Sequence, residues 1–236
     1  MSLLNATYYD SFGMISTDSL GYLVSDDIQK KFLSTPENHT LDYNFSRGTG
    51  RTPSPPAKCW YMSKITALPH MQSIYAYNGN FNTGKAVDSI LTMNHCDDIA
   101  DFKEQLTHNL SLIDKQMENL GFSSLGVVIG FIIGWSKKNN KIIGWKFSSI
   151  DGYQPEVLPD ECQLAPPNID DDHFLELEES FAQRGNSLEQ EKRLHIAICE
   201  NQYRTYQKGK YPEIFHCNNK FQIASVTRNQ IVFYRK

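Results

Sequence analysis

No two cysteines of the chain stand at CxxC spacing: Cys59, Cys96, Cys162, Cys199 and Cys217 are widely separated and odd in number. That excludes a disulfide framework and a thiolate zinc site, and leaves reduced thiols as the expectation. The seven histidines show no HxxxH or HExxH spacing, so no pair of imidazoles shares a helical face. Neither a structural metal nor a cofactor is expected. An excess of basic charge is also missing, with 23 Lys+Arg against 27 Asp+Glu and a formal net charge of -4. Without a basic field to gather phosphates, nucleic acid is not an expected partner. The longest apolar run, LGVVIGFIIGW from Leu125 to Trp135, falls short of the roughly 20 residues of a membrane span. The opening MSLLNATYYDS has no basic segment leading into an apolar one, unlike a secretory signal. A cytoplasmic protein without a membrane partner is the expectation.

What is present is material for one core. With 40% hydrophobic and 12% aromatic residues, a chain of 236 residues can bury a sizeable interior, so residues 1–236 are read as one domain. Leu3 to Ala6 and Met14 to Thr17 read as strands of an N-terminal hairpin, with Gly13 supplying backbone angles that other residues avoid. Between Asp26 and Pro56, Pro, Gly, Ser, Thr and Asn break both periodicities, which predicts a surface insertion at about 26–56. KITAL and SIYAYNG read as strands joined by a turn at Pro69. Two helices follow. In the second, Ile99, Phe102, Leu106, Leu110, Ile113, Met117 and Leu120 recur every three or four residues, ending at Gly121. GVVIGFIIGW and NKIIGWKFSS form a buried hairpin around SKKNN. After an acidic, proline-rich connector come two more helical stretches, from about Asp172 and about Ser187. The latter opens on SLEQ, a capping-box spacing. FQIASVT and QIVFYRK close the chain as a hairpin. The fold class read from this order is α+β.

The order and several local stretches resemble the N-terminal-nucleophile hydrolases of the proteasome β-subunit type, a family of threonine-type peptidases. FGMISTDS resembles the family's apolar strand ending in Asp-Ser, SKITALP its lysine-bearing strand, and SIYAYNGN the strand leading to its oxyanion glycine. VVIGFIIGWSKKNNKIIGWKFSSIDG is similar to its central hairpin and FQIASVTRNQI to its closing one. The resemblance covers most of the chain apart from the insertion. It implies a four-layer αββα sandwich of two mostly antiparallel sheets flanked by helices.

It also implies a chemistry. The mature chain's first residue supplies the nucleophile, and its own α-amine, with a pKa of roughly 7.7–8.0, takes the proton. Counting back from Asp18 puts the nucleophile at Ser2, exposed when Met1 is removed. By the same resemblance Lys64 is the buried cation beside Ser2, Asp18 its counter-charge, and the Gly79 N–H the oxyanion donor. Each has a plainer reading: Ser2 as a frayed terminal residue, Asp18 as a strand-end turn residue, Lys64 as a surface cation, Gly79 as a tight turn. The implied activity is hydrolysis of a peptide or amide substrate, in a protein that associates with itself.

Three other features keep alternatives open. YPEIFHCNN lacks the family's Asp-x-x-Ser-Gly-Gly: Ile214 stands near the Asp position with Glu213 beside it, Cys217 at the Ser position, and Asn218-Asn219 for Gly-Gly. For the family's Gly-Ser-Gly turn, RGNS offers Gly185 and Ser187. A catalytically inactive assembly or binding protein on the same fold is therefore the alternative. Separately, GNFNTGKA, Gly79 to Ala86, matches G-x-x-x-x-G-K between a strand and a helix, the pattern of a P-loop nucleotide hydrolase. Ala86, however, replaces the Mg²⁺-binding hydroxyl.

Overall fold

A computed structural model describes residues 3–22, 59–93, 96–113, 115, 127–159, 163–165, 181–182, 184–207 and 217–235. Ser2, the 26–56 segment, the helical stretch expected near Asp172, the stripe positions Met117 to Gly121, Glu213 and Ile214 lie outside the described residues.

The chain is α+β. Strands β1 (Leu4–Tyr8) and β2 (Phe12–Asp18) form the N-terminal hairpin, in register from Leu4 opposite Thr17 to Tyr8 opposite Gly13. They pair on either side with β10 (Gln163–Ala165) and β11 (Phe221–Thr227), and β12 (Ile231–Arg235) completes an antiparallel sheet in the order β10-β1-β2-β11-β12. The second five-stranded sheet is β5-β6-β7-β8-β9: Ile65–Leu68, Ser73–Gly79, Val128–Ser136, Lys141–Ser148 and Glu156–Val157, also antiparallel throughout. A two-stranded ribbon pairs β3 (Leu20–Tyr22) with β4 (Cys59–Tyr61). The ribbon, β9 and β10 are additions to the order read from sequence; each strand is two or three residues long, too short for an alternation pattern to register.

Alternation along the strands explains how the sheets stack. Leu4, Ala6, Ile15, Ala224 and Val226 of the first sheet meet Ile65, Ile74, Ala76, Phe131, Ile133 and Ile142 of the second in one buried cluster. Gly13 lies in this contact. Its φ is not positive, so the expected role in turn conformation is replaced by close approach: a Cβ there would stand 2.3 Å from the Ile133 Cγ2.

The outer face of the second sheet is covered by α1 (Phe81–Met93) and α2 (Phe102–Ser111). The Ile99 stripe begins as a 3-10 turn, Ile99–Asp101, capped by the Asp98 carboxylate on the Ala100 N–H. Ile99, Phe102, Leu106, Leu110 and Ile113 are all buried with Tyr75, Ile132 and Phe147, each such burial contributing about 1.5–3 kcal/mol. The outer face of the first sheet carries α3 (Leu188–Gln207), whose start is capped by Ser187 Oγ accepting the Gln190 N–H at 3.2 Å. The strand-like alternation of Leu194, Ile196 and Ile198 is therefore helical, as expected.

Candidate active site

Asp18 ends β2 opposite Phe221, on the face that β2 turns toward α3. Lys64 immediately precedes β5 in the other sheet, yet its Nζ lies 3.1 Å from Asp18 Oδ1, with the two side chains 5% and 0% exposed. The structure thus brings these two sequence-predicted residues together across the end of the stacked sheets. The same Oδ1 accepts the Leu3 N–H at 3.0 Å, while Thr17 Oγ1 donates to the Leu3 carbonyl at 2.6 Å. That N–H belongs to the peptide bond joining Leu3 to residue 2. The Asp18 carboxylate therefore holds the lysine ammonium and the start of the chain at a single oxygen.

Burial pushes the Lys64 ammonium below the ordinary lysine pKa, and the charge and hydrogen bond of Asp18 pull it part of the way back. Cys217 joins the same neighbourhood, packed with Leu3, Cys199 and Phe221. Burial, reinforced by the Asp18 charge, drives its thiol well above the usual range, so it stays protonated and a poor nucleophile. Beside it, Asn218 accepts the Ser19 N–H at 3.3 Å and donates to Ser19 Oγ at 3.1 Å, tying this segment to the end of β2.

Gly79 ends β6 at the same end of the sheet. Asn80 N–H donates to the Val127 carbonyl and Trp135 N–H to the Gln72 carbonyl, which makes the even-numbered residues of β6 the hydrogen-bonding partners of β7. By the alternation of an antiparallel ladder, the Gly79 N–H points the other way, toward the side where residues 62–64 lead into β5. Its φ is +119°, and a Cβ would fall 1.9 Å from the Val127 oxygen. Gly79→Ala is expected to cost about 1–3 kcal/mol from backbone strain alone, and more as Val127 is displaced; a urea titration of the variant measures it.

Two residues proposed from sequence for the catalytic turn, Gly185 and Ser187, go elsewhere. Gly185 packs on the Tyr9 ring, beyond the far end of β1 from Leu4. At about 3.3 Å per residue, that is roughly 17 Å along the strand from the Asp18 end, so Ser187, which caps α3, is no partner to the Asp18–Lys64 pair. The P-loop pattern also fails. Helix α1 begins at Phe81, and Asn80 takes up the first turn: its Oδ1 accepts the Thr83 N–H and its carbonyl the Gly84 N–H. Lys85 is paired with Asp88 at 2.5 Å, and Gly84 is pressed against the Tyr77 ring. A phosphate loop needs those N–H groups pointed into an open cradle.

Sequence reasoning missed a buried polar network beneath α3. His195 Nδ1 lies 2.7 Å from Ser16 Oγ and Nε2 lies 2.9 Å from Thr7 Oγ1. Asn5 and Gln202 exchange two amide bonds of 2.8 and 2.9 Å, and Cys199 donates to Ser16 at 3.3 Å. Glu191, also fully buried, places Oε1 4.0 Å from His195 Nε2 while its Oε2 accepts from Tyr9 and the Gly185 N–H. The order Ser16, His195, Glu191 resembles a hydrolytic relay, but Ser16 and His195 are fully buried and unreachable by substrate. The signal was there: Glu191, His195, Cys199 and Gln202 are spaced four, four and three apart, one helical face. No helix among the described residues is long and apolar enough to cross a membrane. No protein-family model and no curated protein matches the chain.

Proposed function

We propose that the chain is an amide- or peptide-bond hydrolase of the N-terminal-nucleophile type, its stacked sheets and outer helices forming a four-layer αββα sandwich like that of proteasome β-subunits. The observation that supports this reading is the shared oxygen: Asp18 Oδ1 takes both the Leu3 N–H and the Lys64 ammonium. A nucleophile at Ser2 is joined by one peptide bond to Leu3, whose N–H shares that oxygen with the buried cation. Ser2 Oγ attacks the substrate carbonyl and passes its proton to the α-amine of the same residue, freed by removal of Met1. Lys64 repels a second positive charge and so keeps that amine basic but unprotonated near neutrality. The Gly79 N–H receives the developing oxyanion, a role worth about 2.7–4 kcal/mol of barrier in preorganised sites. The amine returns the proton to the leaving nitrogen, and water hydrolyses the resulting ester. The reaction needs no cofactor, and a cytoplasmic, self-associating enzyme is part of the proposal.

One observation favours a second reading, a catalytically inactive assembly or binding protein. Where active relatives of the resembled family carry a serine and glycines, Cys217 is sealed in an apolar cluster and Asn218 is tied to Ser19. Intact mass and N-terminal sequencing, followed by labelling with a hydroxyl-reactive electrophile, separate the two. The hydrolase reading expects an exposed Ser2 that labels in the wild type and not in Ser2→Ala or Lys64→Ala. Retained Met1 without labelling puts the inactive reading first.

A further inference from the structure

We infer that Gln222 is a positioning residue for Lys64, an inter-sheet clamp that sets where the lysine ammonium stands; its catalytic sense rests on the hydrolase reading above, its geometry does not. Among the described residues, no strand of its own sheet pairs with the segment 62–64 to which Lys64 belongs. The nearest ladder contact in that sheet begins at Ile65 opposite Ala76. Something else must hold this backbone, because a flexible four-carbon lysine stem does not by itself place an ammonium.

Gln222 does so from the opposite sheet. On β11 it shares parity with Ala224 and Val226, so its side chain projects between the sheets. Its Oε1 accepts the Lys64 N–H at 3.0 Å and its Nε2 donates to the Met62 carbonyl at 2.5 Å. One amide side chain thus satisfies the donor and the acceptor that a neighbouring strand would otherwise have met two residues apart. The Met62 N–H is fixed in turn by the Ser19 carbonyl at 2.9 Å, one residue past Asp18.

The clamp is rigid because β11 is. Gln222 lies opposite Thr17 on one side and Arg235 on the other, in the interior of its sheet, and the preceding residue, Phe221, lies opposite Asp18. Adjacent residues of one strand therefore fix both partners: Phe221 sets the register of the carboxylate, Gln222 that of the lysine backbone. A hydrophobic residue at 222 would serve the inter-sheet core equally well, which makes the choice of an amide informative.

The test reads Lys64 directly. Competitive labelling with acetic anhydride as a function of pH, with peptide mass spectrometry, gives the reactivity and pKa of Lys64 in the full chain without any turnover. Gln222→Met keeps length and removes both hydrogen bonds; Gln222→Glu keeps the acceptor and loses the donor. Ile223→Val, on the other face of β11, controls for loss of strand stability. The pH-independent labelling rate of the deprotonated Lys64 amine is expected to rise at least tenfold in Gln222→Met as the amine becomes accessible, while its pKa rises toward the ordinary lysine value. In that rate Gln222→Glu should fall between, its added charge acting on the Lys64 pKa instead, and Ile223→Val should match wild type. A folded Gln222→Met with unchanged Lys64 reactivity overturns the inference, as does an equal response in Ile223→Val. If Gln222→Met does not fold, Gln222→Glu decides by the same comparison. Should Ser2 fail to label while Lys64 responds as expected, the hydrolase reading falls and the clamp stands.

Discussion

Lys64→Met is expected to destabilise the fold by about 3–5 kcal/mol, because it takes the lysine ammonium away from the buried Asp18 carboxylate. The geometry determines that sign. Asp18 is completely buried and Lys64 nearly so, and an ion in a low-dielectric interior carries a desolvation penalty that only its partner offsets. The cost should be largely removed by making the second change, Asp18→Asn, in the same chain. Asparagine keeps an oxygen for the Leu3 N–H, now held at 3.0 Å, and gives up the charge. A double-mutant cycle in urea at neutral pH measures the coupling, which should exceed about 2 kcal/mol. Additive costs would show that the two groups act independently and that the pair does not anchor the N-terminal hairpin. Because the same oxygen binds Leu3, loss of the pair should also loosen the first residues of the chain. Hydrogen exchange at the Leu3 amide reports that directly.

The way this site could and could not be read in the sequence follows from what periodicity detects. The N-terminal and central hairpins, and the Ile99 stripe as far as Ile113, have apolar residues at the spacing of their elements, and over the described residues they fold as read. Asp18 and Lys64 are polar, lie 46 residues apart and belong to different sheets, so no spacing rule connects them; a resemblance in local motifs did. Gln222 was invisible for a related reason. Phe221, Ile223 and Ser225 alternate with Gln222, Ala224 and Val226, and both sets are mostly apolar, so neither face of β11 declares itself the solvent side. A glutamine there reads as a surface residue. On α3 the assumption that the buried stripe is the apolar one concealed Glu191, His195 and Gln202, which are buried because the hairpin strands present Asn5, Thr7 and Ser16 to receive them. Polar patterns on two separate elements are mutually satisfying only once both are in place. Gly185 and Ser187 misled in the opposite direction: residue types suited to a catalytic turn occur at the start of α3 for capping and close approach.

The same network makes the fold acid-sensitive. Burial pushes the His195 imidazole down to about 3 from its ordinary 6.5, so the ring is neutral in the folded chain and protonates in the unfolded one over that interval. The unfolded state then binds more protons as pH falls, and stability drops with it. This contribution is fully present above pH 6.5 and is lost progressively toward pH 3. With those two pKa values, wild type should lose about 2 kcal/mol by pH 5 and about 3 kcal/mol by pH 4 through this residue. The hydrogen bonds around the ring agree with a neutral imidazole. Ser16 Oγ receives Asn5 Nδ2 at 3.5 Å and Cys199 Sγ at 3.3 Å, leaving its own proton for Nδ1, so Nε2 carries the ring proton and donates to Thr7. A second ring proton, on Nδ1, would face the Ser16 hydroxyl and force it to give up that arrangement. Glu191 Oε1 faces Nε2 at 4.0 Å and has no hydrogen-bond partner among the described residues. Urea midpoints measured from about pH 7.5 to about pH 4 should therefore fall less steeply for His195→Gln than for wild type, whatever the variant costs at neutral pH. Parallel curves for wild type and His195→Gln would show that the proton taken up on acid unfolding belongs to another group.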